Sequence, residues 1–420
     1  MDRGVDEETV LEDIAQVGGI PSSQRRVLTP KRPQLETAGF ADALPYYAGF
    51  SYDWARGFLL SIKDDEPPVV LDPWNGSGTT TLAALSLGWT SVGVDRSPVA
   101  NIIADFRARQ EVRKVGRPSM QFEQDNLAQD ALASWFDPTT VKSIRSWTAA
   151  VSMADSKSRS LGYIAVFRAI RRATESFEGS NPTWVRTAKS AEDLVELSAD
   201  ELDKLILEEQ ELLFIRHSAF APQRPACGLI TGSSAKLPLR SDSVDIVLTS
   251  PPYLTRIDYA VAYSRELAVL GIGIAKDRRL RSALMGTTLV RSDEFDRSII
   301  GETAMELVEA VTQHSSKASS GYYAKQCRQY ISDLARGLAE INRVSRRNAS
   351  VTLVVQDSYY KDIPVRLADI CEDQMGRLGW QLVQSESFAV KRTLTTLNTS
   401  ARAYAKGRVD ESVLTFRRKL

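Results

Sequence analysis

One segment of this 420-residue chain limits the choice of fold more than any other. Val69-Val70-Leu71 is a short apolar run, Asp72-Pro73-Trp74-Asn75-Gly76-Ser77-Gly78 is a turn carrying two glycines, and Thr79 to Leu87 is helix-forming text closed by Gly88. A second apolar run, Ser91 to Val94, follows and ends in Asp95. Strand, glycine turn, helix and a strand with a terminal acid form the opening unit of a doubly wound α/β sheet.

A Gly-x-Gly turn between strand and helix lets the backbone pass close to a ligand and aims amide groups at it. The lysine that a phosphate-cradling loop needs is absent, because Gly78 is followed by Thr79 and Thr80. The third glycine of a dinucleotide fingerprint is missing as well. Asp95, about 20 residues downstream, stands where an acid accepts hydrogen bonds from ribose hydroxyls. Taken alone, the turn is also compatible with a purely structural loop.

The α/β pattern resumes at Gly228-Leu229-Ile230-Thr231 and again at Val244-Asp245-Ile246-Val247-Leu248, which runs into Thr249-Ser250-Pro251-Pro252-Tyr253. Neither proline donates an amide hydrogen, so a central strand cannot continue through them and the chain leaves the sheet at its carboxyl edge. There Ser250 offers a hydroxyl, the Pro251 carbonyl an acceptor and Tyr253 a flat ring for stacking. Later come a strand at Val351 to Val355, a helix from about Val365 to Leu378, and strands near Trp380 to Val383 and Ser412 to Phe416.

Two stretches break this pattern. Residues 110–225 and about 259–347 read as mainly helical. Within the first, Lys142 to Lys189 is rich in Lys and Arg, and Glu192 to Glu211 is rich in acids. The sign change is compatible with two helix faces that neutralise each other or with a nucleic-acid surface. Lys142 to Lys189 is the first choice for such a surface, with Arg278 to Arg297 and Lys391 to Arg408 as rivals. Lys plus Arg and Asp plus Glu both total 53, so any polyanion must be met by a local basic surface.

Cys227, Cys327 and Cys371 are far apart and there are two histidines, His217 and His314, so neither a disulfide framework nor a zinc site assembles from neighbours. This pattern fits a reducing cytosol, with the cysteines and histidines as packing residues. The first thirty residues read as a short acidic helix and an extended arm. No apolar run of 18 residues occurs, so neither a membrane span nor a metal is expected.

Asp72-Pro73-Trp74-Asn75-Gly76-Ser77-Gly78-Thr79-Thr80 resembles the cofactor loop, and Thr249-Ser250-Pro251-Pro252-Tyr253 the catalytic loop, of the S-adenosylmethionine-dependent DNA amino-methyltransferases, particularly the N4-cytosine group. Pro45-Tyr46-Tyr47-Ala48-Gly49-Phe50 resembles that family's segment beside the methionine end of the cofactor, and Val94-Asp95 its ribose-binding acid. The resemblance covers the α/β parts and not the helical stretches. One departure is Gly232-Ser233-Ser234, where the family commonly carries an Asp. Another is the large insert before the third strand, which leaves the location of the target-recognition region open.

The resemblance implies a Rossmann-like class I methyltransferase sheet, α/β, with large helical insertions. Its expected parts are an N-terminal arm (1–40), a first core part with the cofactor loop (41–109), a helical insertion (110–225) and a second core part with the catalytic loop (226–420). It implies S-adenosyl-L-methionine held by Tyr47, Phe50, Asp72, Pro73, Trp74, Gly76, Ser77, Gly78, Thr79, Thr80, Asp95 and Ser233. Catalysis would lie with Ser250, Pro251, Pro252 and Tyr253, methylating an exocyclic amine of a flipped base in double-stranded DNA. Cytosine N4 is favoured over adenine N6 or a structured RNA. A prokaryotic modification or defence setting with a cognate restriction nuclease belongs to the same implication. Carbon-5 methylation would need a Pro-Cys pair, and none occurs. A cofactor-binding pseudoenzyme that recruits partners is the non-enzymatic alternative.

Overall fold

The computed structural model describes residues 30–31, 40, 42–46, 49–62, 66–119, 122, 126–179, 184–218, 226–254, 257–291, 295–390 and 407–419. The expected acidic N-terminal helix and most of Lys391 to Arg408 lie outside these residues. Helix α1 (Tyr52–Ser61) leads into strand β1 (Val69–Asp72), helix α2 (Thr79–Ser86), strand β2 (Thr90–Asp95) and helix α3 (Pro98–Ala108). The first helical stretch contains α4 (Pro138–Met153), α5 (Ser156–Ala173) and α6 (Ala199–Ser218). Aspartates start two of these helices: Asp137 accepts from the Thr139 and Thr140 amides, and Asp155 from those of Lys157 and Ser158.

Strands β3 (Cys227–Thr231) and β4 (Val244–Thr249) follow, then three short helices at Tyr259–Ala262, Ser264–Val269 and Arg279–Ala283. Helices α7 (Glu302–Gln313) and α8 (Ala324–Val344) precede β5 (Ser345–Gln356), a small hairpin of β6 (Ser358–Tyr360) and β7 (Ile363–Val365), and α9 (Leu367–Arg377). Strands β8 (Trp380–Ala389) and β9 (Asp410–Arg418) complete the sheet.

The seven-stranded sheet has the order β3-β2-β1-β4-β5-β9-β8. Its first five strands are parallel, while β9 pairs antiparallel with both β5 and β8. The chain therefore works outward from β1 to β3, then returns to place β4 on the other side of β1. The carboxyl ends of β1 and β4 flank the point where the winding reverses, where open α/β sheets bind their ligands.

Alternation along the strands explains how both faces are covered. Val70, Ile246 and Leu248 pack with α1 and α2 residues such as Leu59 and Leu82. Leu71, Val247 and Val351 face the opposite way, against Leu338 and Ile341 of α8. Both strand words are apolar on consecutive residues because both faces are buried.

The helical insertion is not a separate body. Its buried residues, among them Val141, Trp147, Leu161 and Phe167, form one cluster with Phe40, with Val99 and Phe106 of α3, and with Tyr263 and Leu267. Five of the nine cations in its basic run are ion-paired within the fold. Arg145 reaches Asp130 at 2.6 Å, Arg168 and Arg172 reach Glu209 at 2.5 and 2.9 Å, Arg171 pairs with Glu266, and Lys157 with Glu111. Arg186 donates to the Ser176 and Glu178 carbonyls at 3.0 and 2.8 Å. The five paired cations hold the insertion to its acidic helix and to the core, which leaves Lys142, Arg159, Arg186 and Lys189 of the expected surface without a salt bridge among the described residues. The charge reversal in the sequence marks that internal pairing.

Arg145 offers a direct measure. It is 9% exposed, faces an Asp130 that is 6% exposed, and also donates to the Ala268 and Val269 carbonyls at 2.7 Å each. Removing it leaves a buried carboxylate without its counter-charge, so Arg145→Met should lower the unfolding free energy by about 3–5 kcal/mol in urea titrations. Exposed Arg159→Ala should change it by about 0.5 kcal/mol or less.

Candidate functional site

Thr249 is the last residue of β4, and its hydroxyl donates to Asp72 Oδ1, the last residue of β1, at 2.5 Å. The same oxygen accepts the Trp74 amide at 3.1 Å. Asp72 thus starts one loop and anchors the other. Thr80 reinforces the join by donating to the Leu248 carbonyl at 3.0 Å.

A cavity of about 360 Å³ opens at this point. Residues from both loops line it: Pro73, Trp74, Gly76, Ser77 and Thr79 from the first, and Ser250, Pro251, Pro252 and Tyr253 from the second. Phe50, Asp95 and Ser233 line it too. Asp72, Gly78 and Thr80, expected to hold the cofactor, are not on the wall. Asp72 and Thr80 are buried behind it, and Gly78 starts α2 with φ +82°. Their work is to shape the loop. Tyr47 lies outside the described residues.

The glycine turn has specific mechanical reasons. Gly76 has φ +49°, and a Cβ there would lie 2.8 Å from the Tyr46 ring. Its amide donates to Asp95 Oδ2 at 2.9 Å, and Asp95 Oδ1 accepts the Ser97 amide at 2.8 Å. The acid is thereby fixed at the tip of β2, with acceptor capacity left toward the cavity. From the opposite side, the buried Arg107 guanidinium donates to the Ser77 carbonyl at 2.8 Å and to its hydroxyl at 3.0 Å. Trp74 rests on helix α8, where a side chain at Gly337 would come within 2.6 Å of its ring.

In the second loop, Ser250 Oγ and Tyr253 Oη are 3.3 Å apart, and Tyr330 donates to the Pro252 carbonyl at 2.9 Å. Among the described residues no donor reaches the Pro251 carbonyl. Burial raises the Tyr253 phenol above its ordinary value, with Glu411 adding to the effect, so the ring stays neutral. Thr255 and Arg256 are outside the described residues. Asp258 pairs with Arg281 at 2.9 Å.

Several wall residues lie outside the expected site set. Tyr46 and Tyr259 line the cavity as stacked rings with centroids 5.9 Å apart. Asn75, Arg96 and Ser97 sit beside the glycine turn and Asp95, and Ser282 to Met285 close another side. Arg291, Asp333 and Arg336 add charge there, with Arg291 on Asp333 at 2.5 Å. His217 is buried against Phe40 and Phe106, and Cys327 and Cys371 are buried thiols pushed up to about 12 by burial. Among the described residues no group of three or more potential metal ligands assembles, and no helix is long and apolar enough to cross a membrane.

Chemically, the site offers an acid for vicinal hydroxyls, glycine backbone that a ligand can approach closely, an aromatic wall, and a hydroxyl beside a carbonyl acceptor. That combination suits a nucleoside-bearing ligand next to a second, flat, amine-bearing one.

No family model matches the chain. It is 25% identical over 282 residues to the Type II methyltransferase M.BsoBI of Geobacillus stearothermophilus, covering 58% of this chain and 55% of that protein. This chain therefore matches about half the length of that relative. The Type II methyltransferase M.AvaI of Nostoc and of Anabaena variabilis is 21% identical over 387 residues, covering 80% of this chain and 78% of the relative. A solved SAM-dependent methyltransferase from Methanosarcina mazei superposes at a TM-score of 0.31 with 8% identity, over 86% of this chain and 97% of that one. The rRNA methyltransferase aviRa of Streptomyces viridochromogenes gives 0.29 with 11% identity, over 92% and 96%.

Burial raises the Asp72 carboxyl to about 6, against the lowering by hydrogen bonds from Thr249, Thr80 and the Trp74 amide. A folded value above the unfolded one means that folding takes up a proton. The stability from this uptake is full below about pH 4 and is lost as pH rises through about 6. Wild type should therefore lose about 3 kcal/mol relative to Asp72→Asn between about pH 4 and pH 7, measured by denaturant unfolding of both proteins. A difference independent of pH would mean that Asp72 does not titrate in this window.

Proposed function

We propose that the chain transfers a methyl group from S-adenosyl-L-methionine to an exocyclic amine of a flipped base in double-stranded DNA, with cytosine N4 as the target atom. The observation that carries this is the convergence of two sequence-distant loops on one cavity at the winding reversal, tied by the Thr249–Asp72 hydrogen bond. The similarity to proteins named Type II methyltransferases supports it.

The cofactor would lie along the glycine turn, with Asp95 on the ribose hydroxyls and Gly76, Ser77, Trp74 and Ser233 around it. The fit rests on the acceptor capacity of Asp95 and on a backbone at Gly76 that has no side chain. When bound there, S-adenosyl-L-methionine supplies an electrophilic methyl on a sulfonium.

The chain's own contribution is positioning and polarisation. An exocyclic amine is a poor nucleophile because its lone pair is delocalised into the ring. Ser250 Oγ and the Pro251 carbonyl accept hydrogen bonds from its two protons, which raises electron density on nitrogen and fixes its direction. Tyr253 stacks on the extruded base; its phenol remains neutral and near Ser250, so it holds the plane without introducing charge. Serine at the head of this loop is the residue that favours cytosine over adenine.

Incubation with methyl-labelled cofactor and separate pools of duplex DNA and structured RNA, followed by nucleoside analysis, tests this directly. N4-methylcytosine in DNA is expected. N6-methyladenine would replace the target atom, and label in RNA alone would overturn the DNA assignment. Ser250→Ala should lower kcat by about 10²-fold with unchanged binding of S-adenosylhomocysteine, because the loss falls on the transition state. A biological activity left unchanged by both Ser250→Ala and Tyr253→Ala would favour the partner-recruiting alternative.

A further inference from the structure

If the substrate is a nucleic acid, some surface near the cavity must meet its phosphates, and five of the nine cations in the insertion's basic run are paired internally. A second basic stretch, residues 276–291, has five cations and one acid in sixteen residues. It lies as a strap over the Pro252-Tyr253 loop: a Cβ at Gly286 would be 3.4 Å from the Tyr253 carbonyl and 3.8 Å from Pro252 Cβ. Ser282 to Met285 of the same strap line the cavity.

The strap is firmly held. Asp258 accepts from Arg281 and from the Thr288 hydroxyl, both at 2.9 Å. Gln329 takes the Arg291 amide at 2.7 Å and donates to the Leu289 carbonyl at 3.1 Å. Tyr322, 41% exposed, donates to the Thr288 carbonyl at 2.5 Å and leaves an aromatic ring at the surface beside it.

Its outer cations face solvent. Arg279 has a side chain 91% exposed and shares its charge with Asp277 at 2.6 Å, while Arg278 is exposed and no described residue pairs with it. Inner cations thus fix the strap, and the outer ones, Arg279 and Arg278, precede by three and four residues Ser282, where the strap joins the cavity wall.

We infer that residues 276–291 form the phosphate-contacting surface for duplex DNA beside the target base, with Arg278 and Arg279 as its contacts, and that the helical insertion does not serve this purpose. The inference rests on the methyl-transfer reading for the identity of the polymer.

Binding of a labelled DNA duplex, followed by fluorescence anisotropy over a salt series, separates the two assignments because no chemistry is required. The double variant Arg278→Ala/Arg279→Ala should bind about 10-fold more weakly and lower the slope of log Kd against log salt by about 1–2, with an unchanged thermal midpoint. Lys142→Ala/Arg159→Ala on the insertion should behave as wild type. Unchanged affinity and slope in the strap variant would overturn the inference, as would an equal loss in the insertion variant. Binding of structured RNA in place of duplex DNA would overturn it too. Strap-dependent duplex binding by a wild type that methylates no DNA would sink the catalytic proposal and leave the strap assignment standing.

Discussion

The site depends on how two strands are joined where the sheet's own ladder stops. Strands β1 and β4 pair through Val70–Ile246 and Leu71–Val247, and their register goes no further. Beyond it the chains depart to different loops, as the reversal of winding requires. The Thr249–Asp72 hydrogen bond continues the contact with side chains at the next level. It requires a carboxylate kept away from water, and burial raises its pKa accordingly. The cost of a desolvated acid is offset by two donors, the Thr249 hydroxyl and the Trp74 amide, that converge on it and fix where both loops begin.

This arrangement explains which parts of the molecule were legible in the sequence. Strands β1 to β4 are short, largely apolar and bounded by glycine or proline, and their predicted spans differ from the observed ones by no more than one residue at either end. The glycine turn and the double proline are backbone constraints, visible without tertiary context. The antiparallel strands were harder. β8 runs to Ala389, six residues past its expected end, because its outer half is largely exposed and polar and its partner β9 supplies the pairing. β5 begins at Ser345 for a similar reason: Arg346, Arg347 and Asn348 are exposed and carry no apolar signal. Helix α1 and the β6–β7 hairpin were not anticipated, being short elements defined by what they pack on.

Within the cavity the division is similar. Residues belonging to a contiguous motif were found by motif, and nearly all line the wall. Asp72, Gly78 and Thr80 lie off the wall and shape the loop through hydrogen bonds and backbone conformation, and a single sequence cannot separate shaping from touching. Wall residues from other elements, such as Tyr259, Ser282 and Arg336, are brought in by tertiary folding alone. Charge was the least transparent signal. In a run of nine basic residues, Arg168, Arg171 and Arg172 face Glu208, Glu209 and Glu266, a pairing invisible in linear text, which records sign but not partner.

The insertion nevertheless reaches the site, by packing. Arg171 of α5 lies over the Tyr263 ring at 5.5 Å and pairs with buried Glu266. Tyr263 stacks on Tyr46 at 5.1 Å and donates to the Pro45 carbonyl at 3.0 Å. Tyr46 in turn stacks on Tyr259 and its edge meets Gly76, the residue whose amide holds Asp95. A continuous column of flat groups therefore runs from a buried ion pair in the insertion to the glycine turn. Stacked rings tolerate sliding poorly when both ends are pinned, here by a carboxylate and by backbone. The same segment, residues 259–270, leads out of the Pro252-Tyr253 loop, so the insertion sets the position of both cavity walls through one column. This accounts for why a helical body with most of its basic run ion-paired within the fold shares a core with α3 and the short helix at Ser264–Val269 instead of standing apart as a separate domain.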